Sequence, residues 1–107
     1  AGALAGDLHV CECGNPKFLG RYEEDASATD GIPRFMNEEG MAIYRHGGYW
    51  YIGDLEPWPP QTHYRCIEGC SHNLLEPPTK GYQTKKGVGV HPAPVLQTEP
   101  CVVNDEF

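Results

Sequence analysis

"AIYRHGGYWYIGD", residues 42–54, is the stretch that decides the fold of this chain. Two aromatic-rich runs flank Gly47-Gly48. A two-residue Gly-Gly loop is a favoured β-hairpin connection, because glycine adopts the primed turns that match strand twist. The register follows from the turn: His46 opposes Tyr49, Arg45 opposes Trp50, Tyr44 opposes Tyr51 and Ile43 opposes Ile52. Alternation of side chains then puts Ile43, Arg45, Trp50 and Ile52 on one face and Tyr44, Tyr49 and Tyr51 on the other. Arg45 is placed to lie over the Trp50 indole as a cation–π contact. Both faces are bulky and partly apolar, so the question is what covers the second one.

Moving outward, "FLGRYEED" (18–25) reads as a first short strand and "ASATDG" (26–31) as a turn, with Asp30-Gly31 as the turn dipeptide. "IPRFM" (32–36) reads as a second strand, whose Pro33 suits a strand start or an edge. "NEEG" (37–40) is a further turn. After Asp54 the pattern changes. "LEPWPPQTHYRC" (55–66) is proline-broken and reads as an ordered loop anchored by Trp58, and "CIEGCSHNLL" (66–75) has room for one helical turn. Residues 76–101 are rich in proline and glycine yet keep Tyr82, Val88, Val90, Val95 and Leu96. That is too apolar for a free tail, so the segment is expected to wrap over the sheet. The fold class is therefore mostly β: a small antiparallel meander of about four strands with a long irregular C-terminal half, stapled by disulfides. An extended arm (1–17), a single β-rich domain (18–96) and a C-terminal tail (97–107) organise the chain.

The bulk numbers agree with one small domain. A chain of 107 residues buries about two thirds of its unfolded surface, enough for one modest core. Eight Lys/Arg against fifteen Asp/Glu give a net charge of −7, which argues against nucleic acid, whose binders concentrate positive charge. Lys80, Lys85 and Lys86 are the only basic concentration and read as a solvated surface. No run approaches the ~20 apolar residues of a membrane-spanning helix, so any membrane association is peripheral. The opening "AGALAGD" carries an A-x-A pattern at Ala3 and Ala5, like the end of a cleaved export or transit signal.

Cys11, Cys13, Cys66, Cys70 and Cys101 are read first as a disulfide framework, as expected of a small exported domain. Cys11 and Cys13 are too close to bridge each other comfortably. A bridge from that pair to Cys66 or Cys70 closes a loop of roughly 55 residues, worth about 4 kcal/mol on the chain-entropy model. The connectivity stays open, and one cysteine is left over. The rival reading is a zinc site built from C-x-C and C-x3-C with His63 and His72, although C-x-C fits structural zinc knuckles poorly. The remaining histidines, His9, His46 and His91, show no paired ligand spacing.

Chemistry-bearing motifs are lacking. "GVGVHPAP" has close glycines but no following helix, so it fails the context of a phosphate-cradling loop. Glu38-Glu39 sits in a turn, where solvated acids are expected, and the grouping of Asp54, Glu56 and His63 reads as chance. C-x3-C after an aromatic strand is not the C-x-x-C of a thiol oxidoreductase. The sequence reads as a non-enzyme without a cofactor.

From Gly20 to about Leu96 the spacing resembles a small β-rich module of protists, especially dinoflagellates. The shared pattern comprises Gly20 and Tyr22; Gly31, Pro33 and Phe35; Ile43, Tyr44 and Arg45; and Trp50 with Ile52. It continues through Pro77, Pro78, Gly81 and Tyr82, where tryptophan would be expected at the last position, and ends at Pro92 and Pro94. The resemblance implies a compact antiparallel meander without catalytic residues. It also implies an accessory subunit on the luminal side of a dinoflagellate-type plastid complex, photosystem I in particular, and hence the thylakoid lumen as its compartment. The candidate partner-binding residues are Tyr44, Tyr49, Tyr51 and Trp58, and the expected partners are subunits of a larger complex. Two alternatives stand beside this reading: a secreted carbohydrate- or protein-binding module that uses exposed aromatics, and a zinc-stabilised interaction module.

Overall fold

The fold is given by a computed structural model that describes residues 7–29, 31–57 and 59–101, with the side chains of residues 26–29 left aside. The A-x-A segment, Asp30, Trp58 and the last six positions therefore lie outside the described residues. Eight strands run in chain order: β1 (Leu8–Val10), β2 (Gly20–Thr29), β3 (Ile32–Met36), β4 (Met41–His46), β5 (Tyr49–Asp54), β6 (Gln61–Cys66), β7 (Gln83–Thr84) and β8 (Leu96–Gln97). They form a single antiparallel sheet, ordered β7-β6-β5-β4-β3-β2-β1-β8, curled into a half-barrel. One 3-10 turn, Pro16–Phe18, is capped by the Asn15 side chain accepting from the Lys17 N–H. Among the described residues no helix is long and apolar enough to cross a membrane.

The β4–β5 hairpin has the register expected from its turn, from His46↔Tyr49 through Ile43↔Ile52. Gly47 and Gly48 both take positive φ, +61° and +88°, as a type I′ turn requires. At Gly48 a side chain is also excluded by space, since a Cβ there would collide with the ring of His72. β3 occupies the expected residues, with Pro33 near its start, paired with Ala28 of β2 and beyond the part of β3 that β4 reaches.

Several expectations are corrected. Among the described residues the strand count is eight rather than about four. Residues 26–29 of "ASATDG" continue β2 instead of forming a turn, with a register shift between Asp25 and Ala28. "QTHYRC" is not loop but β6, lying against β5. The prolines at 57, 59 and 60 stop just short of it, and its core positions Tyr64 and Cys66 alternate with Arg65 as a half-buried strand demands. A bulge gives His63 no partner of its own, since Ile52 pairs with Tyr64 and Gly53 with Thr62. Gly53 permits this, because a Cβ there would strike the Gln61 carbonyl. Residues 67–75 form turns instead of a helical turn. The supposed N-terminal arm contributes β1, which lies between β2 and β8.

The core lies on the inner face of the curl. Phe18, Tyr22, Phe35, Ile43, Trp50, Ile52, Tyr64, Tyr82 and Leu96 meet there, together with Val10 and Met41. Complete burial of each aliphatic side chain such as Ile43 or Ile52 contributes about 2 kcal/mol. The C-terminal half does wrap this face, delivering Tyr82, Pro94 and Leu96 to the interior while Val90 and Val95 stay exposed. It also closes the gap between the two sheet edges: the Leu96 N–H donates to the Thr79 carbonyl at 2.7 Å, and the Gly14 N–H to the Pro92 carbonyl at 2.8 Å.

Two disulfides complete the frame, Cys11–Cys101 and Cys66–Cys70. Neither Cys11 nor Cys13 bridges to Cys66 or Cys70, contrary to the expectation. The reason is topological: β1 pairs antiparallel with β8, and bends at residues 98–99 turn the chain back after β8 so that Cys101 reaches Cys11. The Cys11–Cys101 bridge spans 90 residues, which the chain-entropy model values at about 4–5 kcal/mol, against about 2 kcal/mol for the short loop. Cys11→Ser should therefore lower the urea unfolding free energy by most of that larger amount, and Cys70→Ser by less. Equal losses in the two variants would reject this division.

Candidate functional site

The outer face of the β4–β5 hairpin carries the aromatic row. Tyr44 and Tyr51 stack at 5.8 Å with 26° between ring planes, and His46 tilts against Tyr51 at 6.5 Å. The Tyr44 hydroxyl shares a 3.0 Å hydrogen bond with the Thr62 hydroxyl. Burial raises the Tyr44 pKa, and the Thr62 bond partly opposes that shift. Tyr49, two positions along the same face, receives the edge of His72 at 5.1 Å. His72 is itself held by a 3.0 Å contact from Nε2 to the Gly47 carbonyl, and the Asn73 N–H donates to the Gly48 carbonyl. Three of the four partner-binding candidates thus share one surface, with Tyr44 buried and Tyr49 and Tyr51 half-buried. Trp58, the fourth, is outside the described residues.

On the opposite face Trp50 is only 2% exposed. Its indole N–H and the Arg45 guanidinium both donate to the Leu74 carbonyl, at 3.0 and 2.9 Å. The expected meeting of Arg45 and Trp50 is thus organised by a shared backbone acceptor. Burial also removes Trp50 as a platform for sugar rings. The loop 71–75 that follows the Cys66–Cys70 bridge answers part of the opening question, since it seals the hairpin's tip from within the chain.

The cysteines divide by role. Cys11, Cys66, Cys70 and Cys101 are bridged and Cys13 is free. A C-x-C/C-x3-C zinc site needs the same sulfurs as thiolates, so the bridged chain has no such ligand set. Among the described residues no group of three His, Cys, Asp or Glu side chains is placed to hold a metal ion. The Cys13 thiol donates to the Tyr64 hydroxyl at 3.3 Å, a phenol and not an imidazole.

Two groupings escaped the sequence reading. One is an open groove of about 510 Å³ lined by Arg21, Glu23, Glu24, Asp25, Met36, Asn37 and Glu38. Arg21 is ion-paired there to Asp7 and Glu23, and Arg34 to Asp25. Its acids come from a strand and a distant turn, and only the β2–β3 pairing joins them; the clustering of "EED" was the one available signal. The other is the ring group Phe18, His63 and Tyr64, in which His63 lies 4.9 Å from Phe18 and Tyr64 meets Phe18 edge-on at 5.4 Å. The bulge in β6 turns His63 toward this cluster, and a bulge leaves no simple mark in sequence.

Comparison with known proteins adds no relative: no family model, curated protein or solved structure matches the chain.

His63 makes the site's surroundings pH-sensitive. Its Nδ1 is buried without a hydrogen-bond partner. Desolvation holds the imidazole below its ordinary pKa, against an opposing pull from Asp54. The unfolded chain therefore takes up the proton first. This contribution to stability is intact above the unfolded value of about 6.5 and declines as pH falls through it, levelling off once the folded imidazole is protonated. The urea midpoint of the wild type should drop more than that of His63→Phe between about pH 7.5 and about pH 5.5. Identical slopes for the two proteins would contradict the assignment.

Proposed function

We propose that this chain is a non-catalytic accessory subunit that docks on a larger assembly through the outer face of its β4–β5 hairpin. The observation that carries the reading is the Tyr44–Tyr51 stack, flanked by His46 and by the Tyr49–His72 pair. The core occupies the other face of the single sheet, so this row belongs to the side away from it. Tyr49 and Tyr51 are partly accessible and held in place by ring neighbours, and rigid tyrosines are favoured interface residues because little side-chain entropy is lost on contact.

The finer reading follows the resemblance: the partner is a photosystem I of the dinoflagellate type, and the chain sits on its luminal side, peripheral to the membrane. Two disulfides are compatible with an oxidising compartment. The acidic balance of the chain, −7, supports a protein partner over nucleic acid.

On native gels of gently solubilised dinoflagellate thylakoids, the chain should co-migrate with photosystem I. Reconstitution with a Tyr49→Ser/Tyr51→Thr variant, folded as judged by circular dichroism, should weaken that association roughly tenfold or more, the loss of about 1.4 kcal/mol. Migration only as a free monomer in every fraction would reject the proposal. Association with a different complex would reject its finer form alone.

A further inference from the structure

The cross-strand pairings carry the tyrosine row beyond the hairpin. Tyr44 opposes Tyr51, Tyr51 opposes Arg65 and Arg65 opposes Gln83. These residues cross four adjacent strands in one line, about 14 Å long at the usual strand spacing. Arg65 alternates with the buried Tyr64 and Cys66, so it shares the outer face with the tyrosines, and it is exposed.

Arg65 differs from the other arginines in having no partner within the chain. Arg21 is ion-paired to Asp7 and Glu23, Arg34 to Asp25, and Arg45 donates to the Leu74 carbonyl. Among the described residues, the Arg65 guanidinium makes neither an ion pair nor a hydrogen bond. Its cross-strand neighbours Tyr51 and Gln83 are uncharged. Glu68 is tied to this end of the row only through its carbonyl, which accepts from Gln83 Nε2 at 3.1 Å. Lysines gather here as well. The Lys85 N–H donates to the His63 carbonyl at 2.9 Å, and the Lys80 carbonyl lies 4.0 Å from Cys66 Sγ, so both backbones run beside β6 close to Arg65. Lys80, Lys85 and Lys86 are exposed, and among the described residues they are not ion-paired. In a chain of net charge −7, this end of the sheet is a local field of the opposite sign.

We propose that the outer surface of β6 and β7 around Arg65, continuous with Tyr51, is the docking point for an acidic segment of a partner polypeptide. The proposal rests on the hairpin-docking reading above and names the chemistry of the partner. A carboxylate pairs with the planar fork of a guanidinium through two parallel N–H···O bonds. An apolar or aromatic side chain next to that carboxylate can pack on Tyr51, and arginine beside tyrosine is the composition of interface hot spots. β6 holds Arg65 on a rigid strand, so the guanidinium is presented at a fixed place. A nucleic acid or an anionic membrane spreads its charge widely and would also meet the acids of this chain, whereas a short acidic segment touches the basic patch alone.

The test uses the full, oxidised chain and a short fluorescent peptide that alternates glutamate and serine around one phenylalanine. A peptide with glutamine in place of glutamate is the control. The acidic peptide should bind, with amide shifts at Tyr51 and over residues 62–66 and 80–86, and the glutamine peptide should bind roughly tenfold more weakly or worse. Arg65→Glu should weaken the acidic peptide roughly tenfold or more, and Lys85→Gln/Lys86→Gln about threefold. Both variants change exposed side chains, so they should keep the circular dichroism and the urea midpoint of the wild type. Equal binding of the glutamine peptide would overturn the proposal. So would absence of binding, indifference to Arg65→Glu, or shifts confined to other residues. Arg65-dependent binding to vesicles of anionic phospholipid, with the peptide left unbound, would assign the patch to a membrane and overturn it too. An Asp105→Asn/Glu106→Gln variant that binds the peptide far more tightly would assign the patch to the chain's own acids, with the same consequence. Co-migration with photosystem I that is unaffected by Arg65→Glu rejects this contact alone. Peptide binding through Arg65 in a chain that never co-migrates rejects the assembly alone.

Discussion

Four aromatic side chains of the core end in a hydrogen-bond donor, and each donor is aimed at a carbonyl outside the strands. Tyr22 donates to Phe18, Tyr64 to Val90, Tyr82 to Pro78 and Trp50 to Leu74, at 2.7 to 3.0 Å. The rest of the structure depends on this arrangement. A proline-rich segment crossing an apolar sheet cannot satisfy its carbonyls through a ladder, and an unpaired buried carbonyl costs about 1–3 kcal/mol. The aromatic rings bury apolar area while their polar tips meet that need. Burial raises the pKa of all three of these tyrosines, that of Tyr64 to about 12, so they remain protonated donors at physiological pH.

Tyr64 is the junction of the set. Its hydroxyl donates to the Val90 carbonyl and accepts from the Val90 N–H and the Cys13 thiol. One atom in β6 thereby holds both the N-terminal segment and the C-terminal wrap. The Cys11–Cys101 bridge fastens the same two segments where β1 meets β8. Covalent and hydrogen-bonded links thus converge on one side of the half-barrel.

The hairpin was fully legible because three signals agreed: a Gly-Gly loop, alternating aromatics, and β-branched residues opposite each other at Ile43 and Ile52. Its tyrosine row was legible for the same reason, since face follows from register. β6 was hidden by Pro57, Pro59 and Pro60, which obscured a strand that begins only after them, and by the bulge at His63, which breaks the period of two. β1, β7 and β8 are two or three residues long, too short to show any period. Bridge partners depended on the β1–β8 pairing, a long-range contact that no local pattern records. The acidic groove was visible only as a charge run, because Glu38 reaches Glu23 and Glu24 through strand pairing and not through sequence.

The most direct test of this scheme is amide hydrogen exchange in a Tyr64→Phe variant compared with the wild type. Removing one oxygen keeps the ring in the core and takes away a donor and an acceptor together. The account predicts that protection falls over residues 88–96 while the hairpin amides of 41–54 keep theirs. Unchanged protection across 88–96 would contradict it, because the wrap would then be held by something other than the aromatic donors of the sheet.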